Sequence, residues 1–311
     1  MRLCMLGTPE FAVPVLQKLA TAGHDVAAVV TQPDRPRGRG KKLSPPPAKE
    51  AARALGIAVL QFARIRDAEA VQALRDLACD AFVTAAYGQI LSQEILDIPP
   101  LGVINVHASL LPAYRGAAPV PWCLAAGEKV TGVTTMFTDA GVDTGDIILQ
   151  KQVDILPEEN AGELLARLSH VGADLLVETL GRIAVGDCPR TPQDHARATR
   201  VPMLQKADGK IDFACSADQL HDLVRGMNPW PVAWTLLAGA PLKVYKTALC
   251  AGTGAPGEVL VADAKAGLRV ACGQGALEIV ELQVAGGRRM TAKEYLRAHS
   301  IARGAYLGDG A

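Results

Sequence analysis

Apolar residues along this chain come first in unbroken runs and helical stripes, and later in short alternating stretches. Residues 2–6 form an apolar run and predict a buried strand. Gly7-Thr8-Pro9 reads as a tight turn; Phe11, Val15 and Leu19 then fall at helical spacing over residues 10–22, and Gly23 closes that helix. Residues 25–31, rich in Val, predict a second strand, so the chain opens as a β-α-β unit and a parallel sheet is expected. Further strands are predicted at 81–86, 101–106, 132–137 and 147–153, with helices at 48–55, 67–77 and 160–183. The last helix carries Leu164, Leu165, Leu168, Val171, Leu175, Leu176 and Leu180 as a core-facing stripe. This pattern predicts an α/β fold with a Rossmann-like, mostly parallel sheet and helices on both faces. The Gly7 turn lacks the further glycines of a dinucleotide fingerprint, so NAD is not inferred.

Residues 187–205 interrupt the rhythm with three prolines and with Arg190, Arg197 and Arg200, and read as an interdomain linker. Beyond them Ser216 and Gln219 form a capping box that opens a short helix ending at Gly226. Short strands follow at 242–247, 258–262, 267–271 and 276–282, separated by Gly-rich turns, and Thr291 with Glu294 caps a last helix. A small OB-like β-barrel is the expectation for this part. The predicted division is a first domain over 1–187, a linker over 188–206 and a second domain over 207–311.

Composition narrows the function. The chain has 311 residues, enough for two domains, and its formal net charge is zero. A general polycation is excluded, so any nucleic-acid contact must come from local patches. Seven widely spaced cysteines without a Cys-x-x-Cys, and six scattered histidines without a His-Glu-x-x-His, predict reduced thiols and no metal. No apolar run reaches transmembrane length and no leader-like segment opens the chain, so a cytoplasmic protein away from membranes is expected.

Two stretches carry chemistry. Asn105 and His107 are two residues apart at the end of a predicted strand and so share one face. They precede a Pro-containing turn, where an open α/β sheet places its ligand crevice. Asp143 lies in the later loop Asp139-Ala140-Gly141-Val142-Asp143-Thr144-Gly145-Asp146. A carboxamide that donates to an oxyanion, an imidazole that donates or shuttles a proton, and a carboxylate that supports the imidazole suit acyl transfer to an amine. Polar strand caps and turn residues are the plainer alternative. The second stretch, residues 32–47, sets Arg35, Arg37, Arg39, Lys41 and Lys42 among glycines and prolines against one acid, Asp34. It is either a solvated loop or an adaptable phosphate-binding segment. Cys123 has no evident adjacent base and reads as structural.

Several motifs together resemble the folate-dependent formyltransferases. They are Gly7-Thr8-Pro9-Glu10-Phe11-Ala12, the loop from Thr31 to Lys42, Ala85-Ala86-Tyr87-Gly88-Gln89-Ile90-Leu91, Asn105 to Pro112 followed by Arg115-Gly116-Ala117-Ala118-Pro119, and Asp143-Thr144-Gly145-Asp146. In the second half they are Gly209-Lys210-Ile211-Asp212-Phe213, Asn228-Pro229-Trp230-Pro231 and Pro256-Gly257-Glu258-Val259. The resemblance implies a catalytic set of Asn105, His107 and Asp143, and a folate-contacting turn of Ser109, Leu110, Leu111 and Pro112. It implies formyl transfer from 10-formyltetrahydrofolate to the α-amine of methionine on initiator methionyl-tRNA, without a metal. The basic loop, with Arg39 meeting the acceptor stem, is the part that resembles the tRNA-acting members. Ala108 departs from the family's frequent Gly, and Thr199-Arg200 from a frequent Thr-Tyr. A cytoplasmic monomer with a tRNA-binding second domain is expected. Two alternatives stay open: the same chemistry on an amino sugar nucleotide, and a non-enzymatic RNA-binding protein on a formyltransferase core.

Overall fold

A computed structural model describes residues 1–37 and 42–308. In chain order its main elements begin with β1 (Arg2–Gly7), α1 (Ala12–Thr21), β2 (Asp25–Thr31), β3 (Arg35–Arg37), β4 (Lys42–Ser44), α2 (Pro47–Ala54), β5 (Val59–Gln61), α3 (Ala68–Asp76), β6 (Ala81–Ala85) and α4 (Gln93–Leu96). They continue with β7 (Val103–His107), β8 (Arg115–Gly116), α5 (Pro119–Ala125), β9 (Val130–Phe137), β10 (Ile147–Asp154), α6 (Ala161–Ala184) and β11 (Arg200–Val201). The remainder are α7 (Ala217–Gly226), β12 (Ala233–Leu237), β13 (Ala240–Cys250), β14 (Val259–Asp263), β15 (Gly267–Ala271), β16 (Ala276–Val284), β17 (Met290–Thr291) and α8 (Ala292–Ala298). No helix among the described residues is long and apolar enough to cross a membrane.

The chain divides into two compact units. The first comprises residues 1–116, 130–154 and 165–201, and the second 117–129, 155–164 and 202–311. These boundaries depart from the division at 187 and 207. The reason is packing: Trp122 and Ala125 of α5 rest on the apolar core of the second unit, and a side chain at Gly226 would meet the Pro121 carbonyl at 2.7 Å. Arg225 likewise donates to the Glu159 carbonyl at 2.9 Å, and the Gly162 amide to that of Asn228 at 3.2 Å. Nor do residues 188–201 form a free connector; Arg200 and Val201 pair in parallel with Arg115 and Gly116.

In the first unit a seven-stranded sheet runs in the order β10-β9-β7-β6-β1-β2-β5. The five strands from β7 to β5 are parallel, and β9 and β10 run antiparallel at one edge. A strand paired on both sides with covered faces favours an unbroken apolar run, and Leu3 to Leu6 in β1 are all buried. Gly7 lets the chain turn tightly into α1, since a side chain there would meet Ala12 Cβ at 2.7 Å. One apolar core joins Leu6, Val30, Ile65, Leu74, Phe82, Ile95 and Val103.

In the second unit an antiparallel sheet runs β12-β13-β16-β15-β14, with β17 added on β16. Its two edges meet through neighbouring residues near the C-terminal end: Leu307 bridges Leu237 beyond one edge and Tyr306 bridges Glu258 beyond the other. Gly308 donates to the Leu236 carbonyl and Leu307 to that of Gly257, both at 2.9 Å. The core of this barrel-like unit includes Val224, Met227, Val244, Leu268, Leu277, Ile279 and Leu282.

Candidate active site

The end of β7 carries Asn105 and His107. Asn105 pairs with Thr84 of β6 and with Met136 of β9, and His107 with Thr134. This is the carboxyl end of a parallel strand, where open α/β sheets bind ligands. The Asn105 side chain is half-buried, and its carboxamide makes no protein hydrogen bond among the described residues. His107 is 7% exposed, and its Nε2 lies 3.0 Å from the Tyr114 carbonyl oxygen. Because a carbonyl only accepts, Nε2 carries a proton. Nδ1 faces the Asp143 carboxylate, 3.8 Å from Oδ1, within reach of an ion pair but beyond a hydrogen bond.

Asp143 sits in the loop between β9 and β10 with φ of +54°, a left-handed conformation that Asp tolerates better than most residues. Its Oδ2 accepts the Gly116 amide at 2.8 Å, which leaves Oδ1 toward His107. The loop is tied internally by Asp139, whose Oδ1 accepts from the Gly141 amide at 3.0 Å and the Thr144 hydroxyl at 2.7 Å. A side chain at Gly145 would run into the Phe137 carbonyl, so this crossing requires glycine. Gln193 holds the same loop from outside. Its Nε2 donates to the Asp143 carbonyl at 3.0 Å and to the Gly145 carbonyl at 2.7 Å. Its Oε1 accepts two bonds from buried Arg115, at 3.0 and 2.7 Å. Nothing in the sequence singles out Gln193, because one glutamine in a polar, Pro-rich stretch has no periodic signature.

The turn after β7 holds itself together. Ser109 Oγ donates to the Ala113 carbonyl at 2.7 Å, and the Ser109 carbonyl accepts from Thr134 Oγ1 at 2.6 Å. The Leu111 amide donates to Thr134 Oγ1 at 3.1 Å, and the Leu111 carbonyl accepts from Gln150 Nε2 at 2.9 Å. Ser109 and Leu111 are buried, whereas Leu110 and Pro112 are half-buried. On the neighbouring strand end, Ala86 and Gly88 have positive φ around Tyr87. The Tyr87 ring lies in the core and its phenol is pushed up to about 12, chiefly by burial. Cys123 of α5, in the second unit, is buried and its thiol donates to the Val120 carbonyl at 3.2 Å.

Of the basic loop, the structure describes its two ends as a short antiparallel ladder of β3 and β4. Arg35 is exposed and lies 3.4 Å from Gln32 Oε1. Arg39 and Lys41 lie outside the described residues, as do the side chains of Arg37 and Lys42. The foot of the ladder is anchored by Lys49, which is buried. Its Nζ donates to Asp34 Oδ1 at 2.7 Å and Gln61 Oε1 at 2.7 Å, and Gln61 Nε2 returns a bond to the Gln32 carbonyl at 2.8 Å. The Lys49 hydrogen bond, followed by that of Gln61, holds the Asp34 carboxyl below the usual carboxylate range. In the second unit, Lys246 and Arg289 line one cavity but are paired, Lys246 with Glu158 at 3.8 Å and Arg289 with Glu281. Among the described residues no three His, Cys, Asp or Glu side chains are grouped to hold a metal ion.

Comparison with known proteins gives a consistent picture. The family described as Formyl transferase matches residues 1–180, and the one described as Formyl transferase, C-terminal domain matches residues 203–300. The chain is 50% identical over 312 residues to a methionyl-tRNA formyltransferase of Acetivibrio thermocellus, covering 99% of this chain and 100% of the other. It is 50% identical over 308 residues to a methionyl-tRNA formyltransferase of Geotalea daltonii, covering 99% and 98%. Among solved structures, HypX from Aquifex aeolicus in complex with tetrahydrofolic acid matches with a TM-score of 0.67 at 15% identity, over 95% of this chain and 47% of that one. That last likeness concerns the fold alone.

Proposed function

Since the chain belongs to the formyl transferase family, we propose that Asn105, His107 and Asp143 are the groups with which it transfers formyl from 10-formyltetrahydrofolate to the α-amine of methionine on initiator methionyl-tRNA. The activity itself is that of its full-length relatives at about half identity. The observation that supports the residue assignment is an unpartnered Asn105 carboxamide on the same strand face as an imidazole backed by a carboxylate.

In this reading the neutral amine attacks the formyl carbon, and negative charge gathers on the former carbonyl oxygen. Asn105 donates to that oxygen with an amide that has no protein partner among the described residues. His107 keeps Nε2–H on the Tyr114 carbonyl and offers Nδ1–H, the side with the looser contact. Asp143 backs the His107 ring from 3.8 Å and, through water, helps pass the amine proton to the folate nitrogen that leaves. The new C–N bond forms on attack; the C=O then re-forms from the oxyanion as the C–N bond to the protonated folate nitrogen breaks, and no covalent enzyme intermediate is required. Ser109, Leu110, Leu111 and Pro112 form the turn that meets the folate, with Ser109 Oγ and the Leu111 amide also bonding the turn to itself and to Thr134. Arg35, Arg37, Arg39, Lys41 and Lys42 engage tRNA phosphates, and residues 207–311 extend the RNA contact. The enzyme acts as a cytoplasmic monomer.

The test is single-turnover formyl transfer to methionine charged on initiator tRNA, with charged elongator tRNA and a free amino sugar nucleotide in parallel. Fast transfer to the initiator alone is expected. Transfer to the sugar alone would keep the Asn105, His107 and Asp143 chemistry and overturn the assignment of the basic loop.

A further inference from the structure

Arg115 is a buried cation, 2% exposed, with no carboxylate in ion-pair reach among the described residues. The other buried Lys and Arg side chains among the described residues are paired, Lys49 with Asp34 and Arg225 with Asp222. Removing a guanidinium from water without a counter-charge is costly, so each of its nitrogens needs a hydrogen-bond partner. Nε and Nη2 are met by Gln193 Oε1, and Nη1 lies 3.2 Å from His195 Nδ1. The Gln193 carboxamide is thereby oriented without ambiguity, its oxygen toward the cation and its nitrogen toward the Asp143 and Gly145 carbonyls.

The neighbours of Arg115 complete the pattern. The Tyr114 carbonyl accepts from His107 Nε2, and the Gly116 amide donates to Asp143 Oδ2. Three consecutive residues thus hold the imidazole, the main chain of the acidic loop through Gln193, and the carboxylate itself. The residues around Gln193 are tied to the same place, because the Tyr114 amide donates to Thr199 Oγ1 at 2.7 Å and the Arg115 amide to the Thr199 carbonyl at 2.9 Å.

We propose that Arg115 and Gln193 are positioning residues for Asp143: the buried guanidinium fixes the Gln193 amide, which fixes the loop that presents the carboxylate to His107. This rests on the catalytic reading of Asp143 and adds the device that aims it. Misplacing a catalytic group by about 1 Å costs on the order of 100-fold in rate. Gln193→Glu matches the side chain in size and can pair with Arg115, yet it offers only acceptors to two carbonyls.

The experiment compares Gln193→Glu, Gln193→Met, Asp143→Asn and the double variant Gln193→Glu/Asp143→Asn, each confirmed as folded by its thermal transition. Gln193→Glu is expected to lower kcat by about 10- to 100-fold, to leave tetrahydrofolate Kd within about twofold, and to move the acidic limb of the kcat–pH profile. In the Asp143→Asn background the same change is expected to have little further effect, because both act through one carboxylate. Losses that multiply in the double variant, or wild-type kcat and pH profile in folded Gln193→Glu, would overturn the proposal. If the glutamate variant does not fold, Gln193→Met carries the same comparison, and wild-type kcat in that variant would overturn it equally. Wild-type turnover in Asp143→Asn would instead remove Asp143 from the mechanism, which separates the two failures.

Discussion

The Gly116 amide and Asp143 Oδ2 are joined by a 2.8 Å hydrogen bond across a separation of 27 residues. The bond comes from backbone, so substituting Gly116 could not simply delete it. A side chain at that position would in any case strike the Val201 carbonyl. Asp143 therefore keeps one oxygen committed to the fold and one facing His107, and Asn at this position retains the acceptor while losing the charge.

That asymmetry separates structure from chemistry. Asp143→Asn should fold with a thermal midpoint near that of the parent while losing turnover, since the carboxamide still accepts from Gly116. Asn105→Ala should lose about 100- to 1,000-fold in kcat, the usual size for one oxyanion donor, with tetrahydrofolate binding preserved. Stopped-time transfer assays and folate titrations read both, and parental kcat in Asn105→Ala would take that amide out of the mechanism.

The exposed Arg35 at the described end of the basic loop gives a cleaner test of RNA contact than the whole segment would. Arg35→Ala should weaken methionyl-tRNA binding equally for all acceptor-stem sequences and reduce the salt slope of log K by about 1. Folate affinity should not change. Equal damage to both ligands would move the loop to the folate site.

Gly145 is where the acidic loop crosses the Phe137 carbonyl. Gly145→Ala should cost about 1–3 kcal/mol of stability through overpacking, seen as a lower urea midpoint. Turnover should also fall, since the loop must shift away from Gln193. A stable variant with parental turnover would show that the loop has slack the structure does not display.

His221 of α7 is buried with Nδ1 3.0 Å from Thr247 Oγ1, and burial, then Arg225, hold its pKa below the ordinary 6.5. The unfolded chain takes up this proton near 6.5 and the folded one resists it. Its contribution to stability is therefore intact above that value and is lost as pH falls from there toward the folded pKa. Urea midpoints measured from about pH 8 to about pH 5 should decline on the acid side, and His221→Gln should flatten the decline. An unchanged slope in the variant would assign the acid sensitivity elsewhere.

Long apolar runs made the first sheet legible. The runs at 2–6, 25–31 and 81–86 became β1, β2 and β6 because strands covered on both faces need continuous apolar sequence. The two-residue spacing put Asn105 and His107 on one face of β7. The short elements were not legible. β5 has three residues, all half-buried, and β12 follows a Pro-Trp-Pro run that reads as a turn. The helix α5 opens with Pro119 and carries Pro121 in its first turn, where a missing N–H costs no helical bond, but its seven residues are too few to show a periodic stripe, and it is the second core that holds Trp122 and Ala125. Gln193 and Lys49 escaped for a different reason. Each is polar at a position whose meaning comes from partners far along the chain, Arg115 in one case and Asp34 with Gln61 in the other.

The junction made by Tyr306 and Leu307 has a bearing on association. An antiparallel sheet with two open margins offers backbone donors and acceptors to any passing strand, including one from a second copy. Here adjacent residues occupy both margins at once, Leu307 at Leu237 and Tyr306 at Glu258. Loss of this short stretch would expose two templates together, so trimming it by protease would turn a self-contained unit into one prone to strand exchange.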